Sequence, residues 1–379
     1  MAIGKWQALV AAASLGVALV ASAEPGVTPN GILVGQSAAL TGPASDLGQE
    51  MRKGILAYFE RVNKAGGVNG RQLTLKSLDD GYEATRAAAN THTLIETDQV
   101  FALLGYVGTP TSEASKPIFT AAKVPFVGAF SGAELLRTPV NRYIFNIRAS
   151  YNAETEALVN LATQLGLKRV AVFYQNDSYG KAGLAGVEAA MKKRGLQISG
   201  VGTVERNSVA VSDAVHDIAK IEPQAVIMIS AYKSCAAFIR EMKKADQNPQ
   251  FMNVSFVGTR ALADELGDEG RGVGISQVVP FPWNLGSPLV REYQHDLTES
   301  TGKSDYNFGS LEGYIAARVF VEGLRRAGPN VTRERFVDAL ESLHNLDVGG
   351  FPVSYTSAQH NGSNFVELTV IGKDRRILR

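Results

Sequence analysis

The fold of this chain is decided by residues 32–78, which read ILVGQSAALTGPASDLGQEMRKGILAYFERVNKAGGVNGRQLTLKSL. A short apolar run at 32–37 predicts a buried strand, and the apolar residues of 48–64 recur at helical spacing. Gly66 and Gly67 then end the helix, and a second apolar run follows at 73–78. This order predicts a βαβ unit, whose strands lie parallel in a sheet that helices cover.

The same alternation continues along the rest of the chain. Further strands are predicted at 101–104, 125–127, 169–174, 225–229, 254–257 and 274–279. Further helices are predicted at 82–96, 113–121, 152–165, 179–193, 212–220, 232–244, 288–298, 309–327 and 332–343. About four such units precede residue 147 and about four more precede residue 280, which is typical of two domains. The pattern therefore predicts an α/β fold of two Rossmann-like lobes with parallel central sheets.

The helices after Ser287 would lack a sheet if they belonged to the second lobe, so we expect them to pack on the first. The chain must then cross between the lobes three times, near 147–149, 279–281 and 351–353. The predicted division is a signal peptide at 1–23, a first lobe of 24–147 with 281–351, and a second lobe of 148–280 with 352–379.

The first residues predict export. Lys5 precedes an apolar run at 6–20, and Ala21-Ser22-Ala23 has the small residues of a cleavage site, so we expect cleavage after Ala23. The single cysteine, Cys235, excludes an intramolecular disulfide, and no cysteine follows the signal that could carry a lipid anchor. The expected location is the periplasm.

The net charge of +1 provides no field that would attract nucleic acid or an anionic membrane. The five histidines stand apart without a second ligand at metal-binding spacing, and no nucleophile elbow or phosphate-binding loop is present. The pair Asp79 and Asp80 comes between a strand and a helix, where a turn explains it better than acid–base chemistry. Cys235 is expected to be a small core residue. The sequence thus predicts a binding protein without cofactor or metal, and not an enzyme.

Five segments together resemble the type I periplasmic solute-binding proteins of the branched-chain (Leu/Ile/Val) amino-acid transporter family. They are QSAALTGP at 36–43, NKAGGVNGR at 63–71, GYVGTPT at 105–111, VPF at 124–126 and DSYG at 177–180. The resemblance spans nearly all of the mature chain. It implies a ligand cleft between the lobes, hinge closure, and delivery of the ligand to an ABC permease of the inner membrane by a monomeric protein.

The resemblance also implies which residues bind the ligand. The ligand carboxylate would be held by Thr109, Ser131 and the backbone at Ala129, groups that can bind an anion near helix N-termini. The alternative is that both hydroxyls only cap the helices that follow them. Tyr179 and Tyr232 would close over the ligand from the second lobe, and Tyr106 belongs to the same expected set.

Two departures from the family pattern concern specificity. Leu47 stands where the family often has an aromatic residue, and Thr259-Arg260 stands where members that bind amino acids commonly offer a glutamate to the ligand ammonium. Either Asp46 or Glu134 replaces that glutamate, or the ligand is an aromatic or aliphatic acid without an amine, whose second carboxylate Arg260 could bind. A ligand sensor for a receptor is the remaining alternative to transport.

Overall fold

The computed structural model describes residues 24–379, so the predicted signal peptide lies outside the described residues. The strands are β1 (Gly31–Ala38), β2 (Gln72–Asp79), β3 (Ala102–Leu104), β4 (Phe126–Val127), β5 (Ile144–Phe145), β6 (Val170–Gln175), β7 (Gly200–Val204), β8 (Ala225–Ile229), β9 (Gln250–Asn253), β10 (Gly274–Gln277), β11 (Leu346–Asp347), β12 (Pro352–Val353), β13 (Glu367–Ile371) and β14 (Ile377–Leu378). The helices are α1 (Ser45–Lys64), α2 (Ala84–His92), α3 (Thr109–Ala121), α4 (Tyr151–Gln164), α5 (Ser178–Lys193), α6 (Ser212–Ala219), α7 (Tyr232–Lys244), α8 (Thr259–Leu266), α9 (Pro288–Thr301), α10 (Phe308–Ala327) and α11 (Arg333–Glu341). Among the described residues, none of these helices is both long and apolar enough to cross a membrane.

Two sheets form the centres of two lobes. The first has the order β2-β1-β3-β4-β5, and every neighbouring pair in it is parallel. The second has the order β14-β13-β10-β9-β8-β6-β7, in which β13 runs antiparallel to both of its neighbours, β10 and β14, and all other pairs are parallel. The predicted two-lobed α/β fold with parallel central sheets is confirmed.

The chain passes between the lobes along three segments. It enters the second lobe between β5 and α4, leaves it between β10 and α9, and returns to it before β13. Helices α9 and α10 pack on α1 of the first lobe. This is as expected, because the second lobe offers these helices no sheet to pack against. Tyr58 of α1 meets Tyr314 of α10 edge to face, with ring centroids 5.0 Å apart.

The strand predicted at 254–257 is wrong. Here β9 ends at Asn253, and Ser255–Val257 forms a 3₁₀ turn before α8, a helix that periodicity missed. The Ser255 backbone N–H donates to Glu154 of α4 at 2.7 Å instead of continuing the strand ladder. A tertiary contact thus ends β9 early and turns Phe256 out of the sheet.

The turns that end helix α1 and strand β2 have the structural roles that the sequence predicts. Gly67 has φ +80°, and a Cβ there would lie 2.1 Å from the Arg71 backbone oxygen. The Asp79 carboxylate accepts from the backbone N–H groups of Leu40, Thr41 and Gly81, while Asp80 accepts from Ser37. The acid pair therefore holds turns together.

Helices α1 and α10 approach each other through glycines. A Cβ at Gly54 would lie 1.8 Å from the Ser310 backbone oxygen, and one at Gly313 would lie 2.1 Å from that of Met51. Because both obstacles are backbone atoms, a larger residue could be accommodated only by separating the helices.

We expect Gly54→Ala to lower the free energy of unfolding by about 1–3 kcal/mol, since overpacking outweighs the gain in helix propensity. Chemical denaturation followed by circular dichroism measures this. Gly31→Ala is the matched control, because its added methyl would have no neighbour closer than 3.5 Å. Unchanged or increased stability of Gly54→Ala would contradict close helix contact.

Candidate functional site

The lobes meet around Phe256, which the early end of β9 directs into the cleft. Its ring centroid lies 5.4 Å from that of Phe130 and 5.8 Å from that of Tyr82, both of the first lobe. It lies 4.6 Å from the ring of Tyr179 in the second lobe. Aromatic side chains thus form one wall of the space between the lobes.

Thr109 and Ser131 come together in the first lobe. Gly108, at φ +104°, turns the chain into α3, which begins at Thr109 without a side-chain cap. The hydroxyl oxygens of Thr109 and Ser131 lie 2.8 Å apart, both fully buried. Since one proton bridges the two oxygens, the other hydroxyl proton remains available to an acceptor. The structure thus argues against simple capping for Thr109.

Two tyrosines reach the same region from the second lobe. Tyr151 opens α4 after the cap residue Ser150, and Tyr179 lies in the first turn of α5 after the cap residue Asp177. Their rings lie 5.3 Å apart and both are almost fully buried. No well-formed hydrogen bond satisfies either tyrosine hydroxyl, although that of Tyr151 lies close enough to the Thr109 side chain for a weak hydrogen bond to lower its pKa slightly. Burial raises the pKa of Tyr151 to about 12, so its proton stays on the oxygen as a donor.

Arg148 lies on the first crossing between the lobes and is buried. Its guanidinium carbon is 4.7 Å from the centre of the Phe130 ring, and Nη2 contacts the Ser255 hydroxyl. Nε and Nη1 have no hydrogen-bond partner. Glu154 and Glu312 form ion pairs with the guanidinium, at 3.8 and 3.4 Å, without the geometry of a hydrogen bond. Buried guanidinium N–H groups normally have acceptors, so a partner outside the chain is expected here.

A second buried arginine, Arg137, differs from Arg148 in this respect. Its guanidinium donates to the backbone oxygens of Ser131, Ala133, Arg148 and Ala149. It thereby ties the Ser131 loop to the first crossing. Because its donors are used within the chain, Arg137 positions the site, whereas Arg148 has N–H groups to offer.

We call Thr109, Ser131, Arg148, Tyr151 and Tyr179 the inner cluster. Its unpartnered groups are donors, apart from Glu154 Oε1. Burial raises the pKa of Glu312 to about 7 against the opposing effect of Arg148, so this carboxyl can take up a proton near neutrality. The arrangement is suited to bind a carboxylate.

Contacts across the cleft hold the lobes together on both sides of the inner cluster. On one side the Gln175 amide donates to the Tyr82 hydroxyl at 3.2 Å, and Asn207 donates to the Gly81 backbone oxygen at 3.0 Å. On the other side Tyr232 lies against the start of α1. Burial raises the Tyr232 pKa, while hydrogen bonding to Asp46 and Ser45 opposes that shift.

A second space, which we call the outer chamber, adjoins the inner cluster. In this conformation it is a narrow cavity of about 20 Å³, room for about one water molecule, and its walls come from α1, α8, α10 and the end of β10. Leu47 and Arg260, both predicted from the sequence, line it. Arg260 pairs with Asp264 at 3.0 Å.

The remaining expected residues lie elsewhere. The Tyr106 hydroxyl is 3.0 Å from that of Thr91 and its ring packs against Phe126, so the structure does not bring it to the inner cluster. Ala129 is buried beside the loop and accepts from the Ser131 backbone N–H. Glu134, one of the acids considered for the ligand ammonium, accepts from Asn152 at 3.1 Å.

Sequence reasoning missed Arg148, Tyr151, Glu312 and Phe256. A signal existed for Arg148, since it is a charged residue in the apolar segment FNIRAS at 145–150, where the first crossing was expected. Nothing in the local pattern marks Glu312, which occupies an ordinary position in a helix.

Among residues 24–379, no group of three histidine, cysteine or acidic side chains could hold a metal ion. Cys235 is buried, as predicted for a core residue, and burial holds the pKa of its thiol above the usual range. The described site therefore consists of hydroxyl, guanidinium, carboxyl and aromatic groups.

Comparisons with known proteins agree with this architecture. Residues 31–375 match the family described as periplasmic binding protein. A crystal structure from Rhodopirellula baltica SH 1, described as a possible leucine/isoleucine/valine-binding protein, is 38% identical, with a TM-score of 0.88 over 92% of this chain and 96% of that one. A substrate-binding periplasmic protein from Ralstonia solanacearum is 31% identical, with a TM-score of 0.86 over 92% of this chain and 99% of that one.

Curated relatives are more distant in sequence. A leucine-, isoleucine-, valine-, threonine- and alanine-binding protein of Pseudomonas aeruginosa is 21% identical over 82% of each chain. A Leu/Ile/Val-binding protein homologue of Brucella suis is 26% identical over 82% of this chain and 80% of its own. Since the family match covers residues 31–375, this protein belongs to the periplasmic binding protein family, in which its relatives include Leu/Ile/Val-binding proteins.

Proposed function

We propose that this chain is the substrate-binding component of an ABC importer, and that it captures a small carboxylate-bearing solute, an amino acid, between its lobes. The observation that carries the proposal is the set of unpartnered donors in the inner cluster. A ligand carboxylate is the group that satisfies several N–H and O–H donors at once.

The energetic argument favours a bound anion. A buried donor without a partner costs about 1–3 kcal/mol, and Tyr151, Tyr179 and Arg148 each contribute at least one such donor. A ligand carboxylate would offset that cost through direct hydrogen bonds. No long-range attraction by the whole protein is needed, which agrees with its net charge of only +1.

The ligand would couple binding to closure. Thr109 and Ser131 belong to the first lobe, Tyr151 and Tyr179 to helices that follow the first crossing, and Arg148 to the crossing itself. A solute that contacts all three parts stabilises the closed form over the open one, and this differential affinity is what drives hinge closure. The closed form would then be delivered to the permease in the inner membrane.

An acid without an amine is the second candidate. It is favoured by the loop after Val257, which offers no carboxylate before Asp264, and by the pairing of Asp264 with Arg260. Names of relatives, which specify leucine, isoleucine and valine, support the amino acid instead.

A thermal-shift screen of the ligand-stripped mature protein tests the proposal. Amino acids and matched acids without an amine are compared, since a tight ligand raises the melting temperature by mass action. Lack of any shift with all carboxylates at millimolar concentration would contradict the proposed function.

We expect Tyr179→Phe to weaken binding of the acid found in that screen by about tenfold, equivalent to roughly 1.4 kcal/mol, because one ligand hydrogen bond is lost. The unfolding free energy of the ligand-free protein should stay the same or rise, since the removed hydroxyl is unpartnered. Titration calorimetry and chemical denaturation measure the two effects.

Tyr314→Phe is the matched control for that substitution. The Tyr314 hydroxyl lies within hydrogen-bond distance of the carboxylates of Glu292, at 2.8 Å, and Asp296, both on α9, and its one proton donates to one of them. Its removal should lower stability by about 1–3 kcal/mol and leave affinity unchanged. Equal loss of stability in both variants would show that Tyr179 acts in folding and not in ligand binding.

The pH dependence of binding reports on Glu312, whose pKa burial raises to about 7. An acid without an amine adds negative charge beside Arg148, so it should favour the protonated form of Glu312. Its Kd should therefore rise by about five- to tenfold from pH 6 to pH 8, whereas the Kd of a zwitterionic amino acid should change less. Calorimetry across this range measures the effect, and Glu312→Gln should remove it. A Kd for the acid that stays constant from pH 6 to pH 8 would refute the coupling.

A further inference from the structure

The outer chamber has a chemical character opposite to that of the inner cluster. Two of its lining atoms are buried without a hydrogen-bond partner, Glu50 Oε2 and Gln277 Oε1. Glu50 is 8% exposed and Gln277 is 1% exposed, so water cannot readily satisfy them. Both atoms are acceptors, which indicates that the chamber requires a donor.

The orientation of the Gln277 amide is fixed by its neighbours. Its nitrogen donates to the hydroxyl oxygens of Thr259 at 2.8 Å and Thr369 at 2.9 Å. The Thr369 hydroxyl already donates its proton to the Ile275 backbone oxygen at 3.0 Å, so it can only accept from Gln277. The amide oxygen must therefore be the atom without a partner.

The charged groups of the chamber are predominantly acidic. Asp46, Glu50 and Glu312 line it, and burial raises the pKa of each. Two of the nearby cations are paired, Lys53 with Glu50 and Asp305, and Arg260 with Asp264, while Arg148 at the edge of the chamber keeps free N–H groups. The N-termini of α8 and α10 also face the chamber, but each is equivalent to only about half a positive charge. Negative charge dominates.

The chamber and the inner cluster share a boundary at Arg148. Phe130, Ser255 and Glu312 line the chamber, and all three also contact the Arg148 guanidinium. A single ligand could thus extend from one space into the other.

Glu50 stands away from that boundary. A Cβ at Gly309 would lie 3.1 Å from the Glu50 Cβ, and Gly309 precedes Glu312 by one turn of α10, a rise of about 4.5 Å. An α-ammonium lies next to its own carboxylate and would remain near Arg148 and Glu312. The unpartnered acceptor of Glu50 therefore suits a nitrogen further along the ligand, and the Gln277 amide oxygen is a second acceptor that lines the same chamber.

We propose that the outer chamber binds a distal, positively charged nitrogen of the ligand whose carboxylate binds at Arg148, so that the chain selects amino acids with a cationic end. This inference rests on the proposed function and specifies the ligand class. It places the specificity-determining acids on α1, and not in the loop after Val257 where the family pattern predicts a glutamate.

The ionisation of Glu50 agrees with this assignment. Burial raises its pKa to about 7, and pairing with Lys53 and hydrogen bonding with Ser310 oppose the shift only in part. A bound cation would stabilise the charged carboxylate, as an additional opposite charge does at any buried acid.

Four acids of one chain length test the proposal. Hexanoate carries no amine, norleucine an α-amine, 6-aminohexanoate a distal amine, and lysine both. Titration calorimetry at pH 7.5 should give Kd values at least tenfold lower for lysine than for norleucine, and for 6-aminohexanoate than for hexanoate. Norleucine binding as tightly as lysine, with hexanoate as tight as 6-aminohexanoate, would overturn the inference and leave the proposed function intact. Lack of binding by all four and by every carboxylate of the thermal-shift screen would overturn both.

Glu50→Gln links the effect to the chamber. It keeps the side-chain shape, and the ratio of the norleucine Kd to the lysine Kd should fall from at least ten to near one. Circular dichroism and thermal melting establish that the Glu50→Gln variant is folded. Asp46→Asn, at a more exposed position of the same helix, should also lower the ratio of the two Kd values. Glu156→Gln is the control, because Glu156 pairs with Lys193 and Arg194 outside the chamber, and its ratio should match the wild type. An unchanged ratio in Glu50→Gln would overturn the inference.

Discussion

The site depends on the burial of Arg148 at the first crossing between the lobes. A guanidinium at this position is costly unless charges and acceptors surround it, and the chain supplies two acids that form ion pairs with it but leave two of its nitrogens without a hydrogen bond. Phe130 and Phe256 exclude water from this region. The chain thereby keeps a cation desolvated and only partly satisfied, which is the condition under which a ligand carboxylate binds most strongly.

The contrast between Arg137 and Arg148 explains how this state is maintained. The Arg137 guanidinium donates hydrogen bonds to four backbone oxygens and so holds the Ser131 loop against the first crossing. With the loop and crossing immobilised, Arg148 cannot relax toward carbonyl groups of its own. One arginine therefore preorganises the site in which the other one acts.

The cleft is also divided by hydrogen-bonding character. Most unpartnered atoms near Thr109 and Tyr179 are donors, while those near Glu50 and Gln277 are acceptors. Such a division discriminates by the cost of leaving a group unpaired, since a ligand that lacks one of its two polar ends leaves one set unsatisfied. In the proposed mechanism, hinge closure would add to this selectivity because the two sets are complete only when the lobes meet.

The architecture, and three of the five residues of the inner cluster, could be predicted from the sequence. The βαβ periodicity and the glycine stops fixed two parallel sheets, because strand and helix patterns are local and repeat along the chain. The loop residues Thr109 and Ser131 and the helix-start residue Tyr179 could also be found, since side chains after parallel strands gather at one edge of each sheet. Three features could be seen only in the tertiary structure: Val254 does not continue a strand, Phe256 enters the cleft, and Glu312 reaches Arg148. These outcomes depend on contacts between residues far apart in the chain. Whether a buried polar atom has a hydrogen-bond partner depends on those contacts and not on its neighbours in sequence. No local pattern could therefore reveal that Arg148, and not Arg137, has N–H groups without a partner.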